Sequence, residues 1–309
     1  MTATVLQQAL NWLADGDAVA IATVVSTSGS VPGRVGARLA IRNCSFETLS
    51  DEPNSFEFEF IGTVGGAGLE WKVLQEAKSL LDSAIENSRP QGGIHTFGLN
   101  KGAKGYEVQP LDSLCGGRVT LAIEVILPMP HILLMGCGHC GQAIADLAQP
   151  LGWDISVQDT REEFANFELY PSARECHAGL VEDFLAGETG ETLSRFSDVL
   201  LLGHDWAEDQ ERLIGMLTMI RDSSRQPDGQ SGPRFGVIGS RSKWQSFVKV
   251  CVAAGLDEEM INKVRCPIGL NIGADSPEEI AVAVIGEIMA LHKAQNPKAQ
   301  NWREKLDSM

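Results

Sequence analysis

Residues 131–141 of the chain are His-Ile-Leu-Leu-Met-Gly-Cys-Gly-His-Cys-Gly, a short apolar run followed directly by the pattern G-x-G-x-x-G. In this pattern Gly136 permits a tight turn, Gly138 lets a phosphate approach the backbone, and Gly141 lets a helix pack closely on the strand. The start of that helix offers free amide groups to an anion. The stretch therefore predicts a Rossmann-type turn that binds a mononucleotide or dinucleotide, the alternative being a turn that binds another ligand or none.

The sequence after residue 131 alternates short apolar runs with helical patterns, which predicts a doubly wound parallel sheet. Asp159 ends the second of these runs, 21 residues after Gly138, where a ribose-binding acid is expected. The last helix has Ser276 as its N-cap and Glu279 at the capping-box position. The predicted strands are 131–135, 155–158, 199–202 and 235–238, and the predicted helices are 138–151, 180–185, 208–221, 241–254 and 277–293.

The residues before this turn follow a different pattern, in which strands predominate. Pro128-Met129-Pro130 interrupts the chain, because proline fixes φ and supplies no amide donor. We therefore predict an α/β chain with a mixed α+β domain over residues 1–128, a Rossmann-like domain over 129–295 and a frayed tail over 296–309. The elements predicted in the first domain are helices at 4–14 and 69–86, strands at 18–25, 37–41, 56–61 and 119–127, and a polar loop at 43–55.

The composition excludes several classes of protein. The chain has 309 residues and a net charge of −16, which argues against a nucleic-acid or anionic-membrane partner. Its apolar runs are shorter than the ~18 residues that a membrane span needs, and residues 1–17 lack the basic start and cleavage site of a signal peptide. Seven cysteines in a long chain do not resemble a disulfide framework, so we expect a reducing cytoplasm.

Polar residues follow two later strands of the predicted sheet, where open α/β sheets bind their ligands. His204 and Asp205 follow 199–202 and could form an acid–base pair, although Asp205 could equally be a helix N-cap. Ser240, Arg241 and Lys243 follow 235–238 at the start of a helix. Two cations and a hydroxyl at that position predict an anion clamp, the alternative being a solvated helix start.

Three cysteines lie in glycine-rich surroundings. Cys115 is followed by Gly116-Gly117 and Arg118, which would leave its thiol accessible and favour the thiolate as a nucleophile, sulfur carrier or soft metal ligand. A buried core cysteine is the simpler alternative. Cys137 and Cys140 form C-x-x-C, for which we prefer packing as small apolar residues to a redox pair.

The remaining candidates adjoin these motifs. His139 would lie at the mouth of the phosphate site, where it could contact a ligand or cap the helix. Gly65, Gly66 and Glu70 lie in a second glycine-rich loop at 62–70. On spacing alone they predict a tight turn with a carboxylate at a helix start.

Taken together, these segments resemble the XdhC/CoxI family, the xanthine dehydrogenase accessory factors. The resemblance extends from about residue 10 to 290, and its specificity lies in the order of many individually weak motifs. These are residues 26–38 (STSGSVPGRVGAR), 62–71 (GTVGGAGLEW), Cys115-Gly116-Gly117, 136–141 (GCGHCG), Asp159-Thr160-Arg161, His204-Asp205, 239–243 (GSRSK), 266–273 (CPIGLNIG) and 276–281 (SPEEIA).

The resemblance implies a cytoplasmic maturation factor rather than a turnover enzyme. Such factors bind the molybdenum cofactor, as molybdopterin or its cytosine dinucleotide form, support its sulfuration and pass it to a molybdenum hydroxylase apoenzyme. A cysteine desulfurase as second partner and a homodimeric state are also implied. The residues themselves leave open an NAD(P)-dependent oxidoreductase with His204 as acid or base, and a nucleotide-responsive regulatory subunit.

The resemblance also assigns roles to residues. Cys115 would contact molybdenum or sulfur. The phosphate or nucleotide part would be held by the loop Gly136–Gly141 with His139, and by Asp159, Arg161, Ser240, Arg241 and Lys243. The other expected cofactor-binding residues are Gly65, Gly66, Glu70, Gly116, Gly117, His204 and Asp205.

Overall fold

The computed structural model describes residues 2–43, 58–100, 105, 108–111, 116–223 and 232–295. Residues 44–55 of the loop predicted at 43–55, Cys115 and the predicted tail at 296–309 lie outside the described residues. The chain divides into two compact units, Met1–Ile132 with Glu182–Ser197 and Arg212–Arg234, and Leu133–Val181 with Asp198–Glu211 and Phe235–Met309. The predicted domain limits at 128 and 295 stay predictions.

The first unit contains a six-stranded sheet in the order β3-β2-β1-β6-β4-β5. Neighbouring strands are antiparallel except β4 and β5, which are parallel. β1 is flanked by β2 and by β6, with Ser28 opposite Arg118 at one end. The strands are β1 Val19–Ser28, β2 Arg38–Asn43, β3 Phe58–Gly62, β4 Gly92–Gly98, β5 Val108–Pro110 and β6 Arg118–Ile126.

Two helices bury the two faces of this sheet. Helix α1 (Thr2–Ala14) packs Val5, Ala9 and Trp12 against one face. Helix α2 (Ala67–Asn87) packs Val73 and Leu81 with the larger core on the opposite face. β1 contributes alternate residues to both cores, as the two-residue period of a strand requires.

The second sheet has five strands in the order β11-β10-β7-β8-β9. All five residues of the central strand β7 are buried, which is typical of a strand covered on both faces. The strands are β7 His131–Met135, β8 Asp154–Asp159, β9 Glu175–Ala178, β10 Asp198–Leu201 and β11 Arg234–Val237. The helices are α3 His139–Ala148, α4 Val181–Ala186, α5 Gly190–Leu193, α6 Trp206–Asp222, α7 Arg241–Ala253, α8 Glu258–Asn262 and α9 Pro277–His292.

The predicted fold class is confirmed: a mixed α+β N-terminal domain precedes a Rossmann-like domain with a parallel sheet. The predicted capping box of α9 is confirmed, since the Glu279 amide donates to Ser276 Oγ and the Ser276 amide donates to Glu279 Oε2, both at 3.2 Å. Across the described residues, none of the helices is long and apolar enough to cross a bilayer.

Candidate functional site

The glycine-rich turn joins β7 to α3 at the carboxyl end of the central strand. Gly136 has φ +84°, and a Cβ there would lie 2.4 Å from the Cα of Gly203. A Cβ on Gly141 would lie 3.1 Å from the hydroxyl of Tyr170. Gly138 is different, because a Cβ on it would meet no atom of the described part of the chain within 4 Å. The chain itself therefore needs the outer two glycines for packing, whereas Gly138 leaves open space where a phosphate would approach the backbone.

The helix start behind this open space carries no side-chain cap. Gly138 is the N-cap of α3 and makes no side-chain hydrogen bond to the first helical amides. His139 is exposed at the first helical position. The geometry leaves helix amides and an exposed imidazole beside Gly138, which is the arrangement that favours an anion.

The two cysteines of the turn are both reduced. Cys137 is fully buried, and its thiol donates to the carbonyl of Leu134 at 3.2 Å and to that of Gln158 at 3.4 Å. Cys140 is half-buried, and burial together with the nearby carboxylate of Glu278 raises the pKa of its thiol. These features fit the preferred expectation that the pair packs as small residues, because a raised pKa disfavours the reactive thiolate.

Asp159 lies at the end of β8, beside the turn, with both carboxylate oxygens already occupied. Oδ2 accepts the amide of Cys137 at 2.8 Å and Nη2 of Arg161 at 2.9 Å. Oδ1 accepts the amide of Arg161 at 3.0 Å and its Nε at 2.9 Å. Burial acts to raise the pKa of Asp159, but the hydrogen bonds from Arg161 and Cys137 outweigh it and lower the pKa. The structure thus differs from the expected ribose-binding acid, since a ribose hydroxyl would have to displace one of these partners.

His204 and Asp205 follow β10, the strand beside β7. Asp205 Oδ1 accepts the amide of Ala207 at 2.8 Å and that of Glu208 at 3.3 Å, so Asp205 caps helix α6. The structure favours this alternative over an acid–base pair, because one carboxylate oxygen of Asp205 already accepts two helix amides. His204 itself is exposed at the carboxyl end of the strand.

The expected anion clamp at the start of α7 is only partly present. Lys243 is 4% exposed, and its ammonium donates to Asp209 Oδ2 at 2.8 Å and to the carbonyls of Gly203 and Ile238, each at 3.1 Å. These three bonds use all the protons of the ammonium group. Lys243 therefore ties the loops after β10 and β11 together from inside, contrary to the expected surface clamp. Ser240 caps α7, and Arg241 is exposed.

In the first unit, three glycine-rich segments that are distant in sequence meet at one place. A Cβ on Gly33 would lie 2.4 Å from the carbonyl oxygen of Val64, which joins the first loop to the second. A Cβ on Gly117 would lie 2.3 Å from Cγ1 of Val31 and 2.5 Å from the carbonyl oxygen of Ser28. We call this meeting of 28–33, 62–66 and 116–117 the glycine junction.

The second loop of the junction is held by Glu70. Its Oε2 accepts the hydroxyl of Thr63 and, at 3.3 Å, the amide of Val64. Gly66 is the N-cap of α2 and, like Gly138, makes no side-chain cap. The geometry agrees with the turn and helix-start carboxylate expected from spacing. Sequence reasoning missed Thr63 as the hydroxyl partner, because the two residues are seven apart whereas a capping box has a spacing of three.

One wall of the junction is open. Among the described residues, a Cβ on Gly116 or on Gly66 would meet nothing within 4 Å, whereas one on Gly117 or Gly65 would collide with neighbouring atoms. Cys115, which lies outside the described residues, is bonded directly to Gly116. The packed glycines hold the loops together, and the open ones leave the backbone accessible to another molecule.

The strand order and the glycine-rich turn after the central strand define a class of protein, the Rossmann-type domains. Two family models match the chain: "XdhC Rossmann domain" over residues 132–288 and "XdhC and CoxI family" over residues 12–97. The chain belongs to the XdhC/CoxI family, so the resemblance expected from the sequence is confirmed.

Two curated proteins are similar to it. "Uncharacterized protein YqeB" of Escherichia coli (strain K12) is 32% identical over 271 residues, covering 87% of this chain and 43% of the relative. A probable subunit of xanthine dehydrogenase from Bacillus subtilis (strain 168) is 26% identical over 176 residues, covering 55% of this chain and 46% of the relative. The chain thus spans less than half the length of these relatives.

A solved structure of a xanthine dehydrogenase from Bacillus halodurans also matches. It is 16% identical, the match covers 96% of this chain and 98% of the other, and the TM-score is 0.45.

Proposed function

We propose that this protein is an accessory factor of a molybdenum hydroxylase, of the xanthine or carbon monoxide dehydrogenase type. It would bind the molybdenum cofactor, support its sulfuration and deliver it to the apoenzyme. Membership of the XdhC/CoxI family and the similarity to a probable component of xanthine dehydrogenase support an association with such an enzyme. The glycine junction carries the proposal, because its open glycine Gly116 directly follows Cys115.

The residues of the junction fit a ligand that has both a phosphate and a soft metal. Gly66 and the first amides of α2 would receive an anion, as uncapped helix starts do. Cys115 would supply a thiolate, which is a ligand type suited to soft metals and to sulfur. Bound molybdopterin would supply the molybdenum centre, while this chain would position its phosphate and its metal. Gly117 and Glu70 would serve indirectly, by holding the two loops in place.

The Rossmann domain would hold the nucleotide or phosphate part of the ligand. Gly138 offers the open approach, and His139 and Arg241 are exposed at the helix starts after β7 and β11. Gly136, Gly141 and Lys243 would act by fixing these loops from within. A cytosine dinucleotide form of the cofactor would use this domain more fully than molybdopterin alone.

The partners follow from the same proposal. A hydroxylase apoenzyme would receive the cofactor, a cysteine desulfurase would supply sulfur, and the factor would act as a homodimer in the cytoplasm. An NAD(P)-dependent oxidoreductase is the second candidate function. It is favoured by the exposed imidazole of His204 at the end of β10, next to the nucleotide-binding turn, where an acid or base could act.

The proposal is tested by purifying the protein from cells that make molybdenum cofactor and measuring bound molybdenum and pterin. We expect comparable molar amounts of both in the wild type, and loss of molybdenum in Cys115→Ser, because a hydroxyl is a poor ligand for a soft metal. Cys176→Ser is the matched control, since Cys176 is a half-buried cysteine of the other unit. Absence of pterin from the wild type together with NADH binding would favour the oxidoreductase instead.

A further inference from the structure

The end of β8 presents an arginine where Rossmann domains of this pattern are expected to present a free acid. Asp159 is 1% exposed, and its four hydrogen bonds fill the acceptor sites of both oxygens. The side chain of Arg161 is 36% exposed and reaches the surface beside the turn. A ligand that arrives at this edge would therefore meet Arg161 before Asp159.

Arg161 is rigidly held, yet it retains donors. Its Nε and Nη2 are bound to Asp159, and its guanidinium stacks on the ring of Phe164 at 4.0 Å. A guanidinium has five N–H donors, and these bonds to Asp159 use two of them. The hydrogen bonds found within the described residues leave Nη1 unused. A planar group fixed on two sides with spare donors is well organised to contact a ligand oxygen.

Arg161 is also coupled directly to the nucleotide-binding turn. Asp159 Oδ2 accepts both Nη2 of Arg161 and the amide of Cys137, which lies between Gly136 and Gly138. One carboxylate oxygen thus sets the distance between the arginine and the turn. A ligand whose phosphate lies at Gly138 would extend its ribose toward this edge, as in other domains with this strand order.

The charges around Arg161 determine whether a ribose bound there can carry a phosphate group or only a hydroxyl. Hydrogen bonding to Asp159, and the negative charges of Asp159, Glu163 and Glu208, raise the pKa of the Arg161 guanidinium. One cation thus faces three carboxylates. A hydroxyl can accept a hydrogen bond there without cost, whereas a ribose phosphate would add up to two further negative charges to a negative site.

We propose that Arg161, rather than Asp159, binds a ribose hydroxyl of the nucleotide, that Asp159 is a positioning residue, and that the site rejects a ribose phosphate. The inference rests on the part of the proposed function in which the Rossmann turn holds a nucleotide. It does not depend on molybdenum or on Cys115.

The test measures binding of ADP, 2′-deoxy-ADP and 3′-deoxy-ADP to the full chain by calorimetry. We expect the wild type to bind one deoxy analogue about tenfold more weakly than ADP, because a hydrogen bond from a charged donor is lost. In Arg161→Gln the dissociation constant of this deoxy analogue, divided by that of ADP, should fall to about one. A purely structural role would weaken all three ligands alike and leave the ratio unchanged. CDP and its deoxy analogues should give the same ratios, since the base is not part of the contact.

Two further measurements complete the design. Arg174→Gln is the matched control, because Arg174 has the same side-chain exposure (37%) and also pairs with an aspartate, Asp154; its ratio should equal that of the wild type. Adenosine 2′,5′-bisphosphate should bind the wild type more weakly than AMP, from which it differs only by the 2′-phosphate, and replacing the exposed Glu163 in Glu163→Gln should narrow this difference. Because the comparison of these two ligands uses the wild-type protein, it does not depend on whether a variant folds.

The inference is overturned if both deoxy analogues bind the wild type as tightly as ADP, if the ratio survives in Arg161→Gln, or if ADP does not bind. Tighter binding of the bisphosphate than of AMP would also overturn it. The proposed function fails separately, through absence of pterin and molybdenum from the purified protein.

Discussion

At the scale of single residues, the ion pairs of two buried side chains explain where expectation and structure differ. The sequence correctly predicts Asp159 at the end of a strand and Lys243 at the start of a helix, but it cannot show that each side chain turns inward. Asp159 is occupied by Arg161 two residues away, and Lys243 by Asp209, which lies 34 residues away. Pairing over such a distance depends on how β10 and β11 pack, and a local sequence pattern does not predict that packing. The glycines of the turn were predictable because their roles depend on backbone geometry alone.

The pair formed by Lys243 and Asp209 leads to a prediction about stability. In Lys243→Met the carboxylate of Asp209, which is fully buried, would lose its ion pair with the ammonium group of Lys243. We expect a loss of about 3–5 kcal/mol in the free energy of unfolding, as when one member of a buried pair is removed. Urea unfolding measures it, with the exposed Lys249→Met on the same helix as control. Equal midpoints of urea unfolding for the two variants would contradict a structural role for Lys243. The double variant Lys243→Met with Asp209→Leu should recover part of the lost free energy of unfolding.

At the scale of elements, the periodicity of apolar residues predicted nearly all the larger strands and helices. It gave no bounds for β4 Gly92–Gly98 and β5 Val108–Pro110, and the elements it missed are short: β9 Glu175–Ala178, α5 Gly190–Leu193 and α8 Glu258–Asn262. β9 has the sequence Glu-Cys-His-Ala, without an apolar run, and it exists because it pairs in parallel with β8. α5 and α8 span about one turn each, too little for a period to be detected. The meeting of the glycine-rich loops was likewise invisible, because it joins segments from three parts of the sheet.

The glycine junction provides a matched pair of neighbouring variants. A Cβ on Gly117 would collide with Val31 and with the carbonyls of Ser28 and Ser30, so we expect Gly117→Ala to lower the free energy of unfolding by about 1–3 kcal/mol. Gly116→Ala meets open space and should stay within about 0.5 kcal/mol of the wild type. Its added methyl group should nevertheless reduce the bound pterin. Urea unfolding and pterin analysis of the two proteins measure both effects, and a stable Gly116→Ala protein with full pterin content would contradict the proposed site.

At the scale of the whole molecule, the charge of −16 determines which contacts are favoured. Arginines and lysines are few, and the structure places several of them in ion pairs with carboxylates, such as Arg42 with Asp17 and Arg265 with Asp198. Arg241, exposed at a helix start, is therefore a local exception in an acidic surface. An anionic ligand would be attracted by such a group and by helix amides rather than by the field of the whole protein.

The same charge predicts a response to salt. Like charges repel one another in the folded protein, and raising the NaCl concentration from about 10 to 150 mM shortens the screening length from about 30 to 8 Å. We expect the midpoint of thermal unfolding to rise by a few degrees over this range. Calorimetry at constant pH measures the change. A fall of the midpoint would mean that ion pairs such as that of Arg42 with Asp17 contribute more than the overall repulsion.

The order of strands in the six-stranded sheet has a consequence for biosynthesis. β1 needs β2 on one edge and β6 on the other, and 83 residues separate the end of β2 at Asn43 from the end of β6 at Ile126. At about 5–20 residues per second, a ribosome takes about 4–17 s to make that interval. During this time the nascent chain carries an apolar strand with one unpaired edge, which is the form most prone to sticking to other polypeptides. The edge of β1 that pairs with β6 is therefore open to such association until β6 has been synthesised.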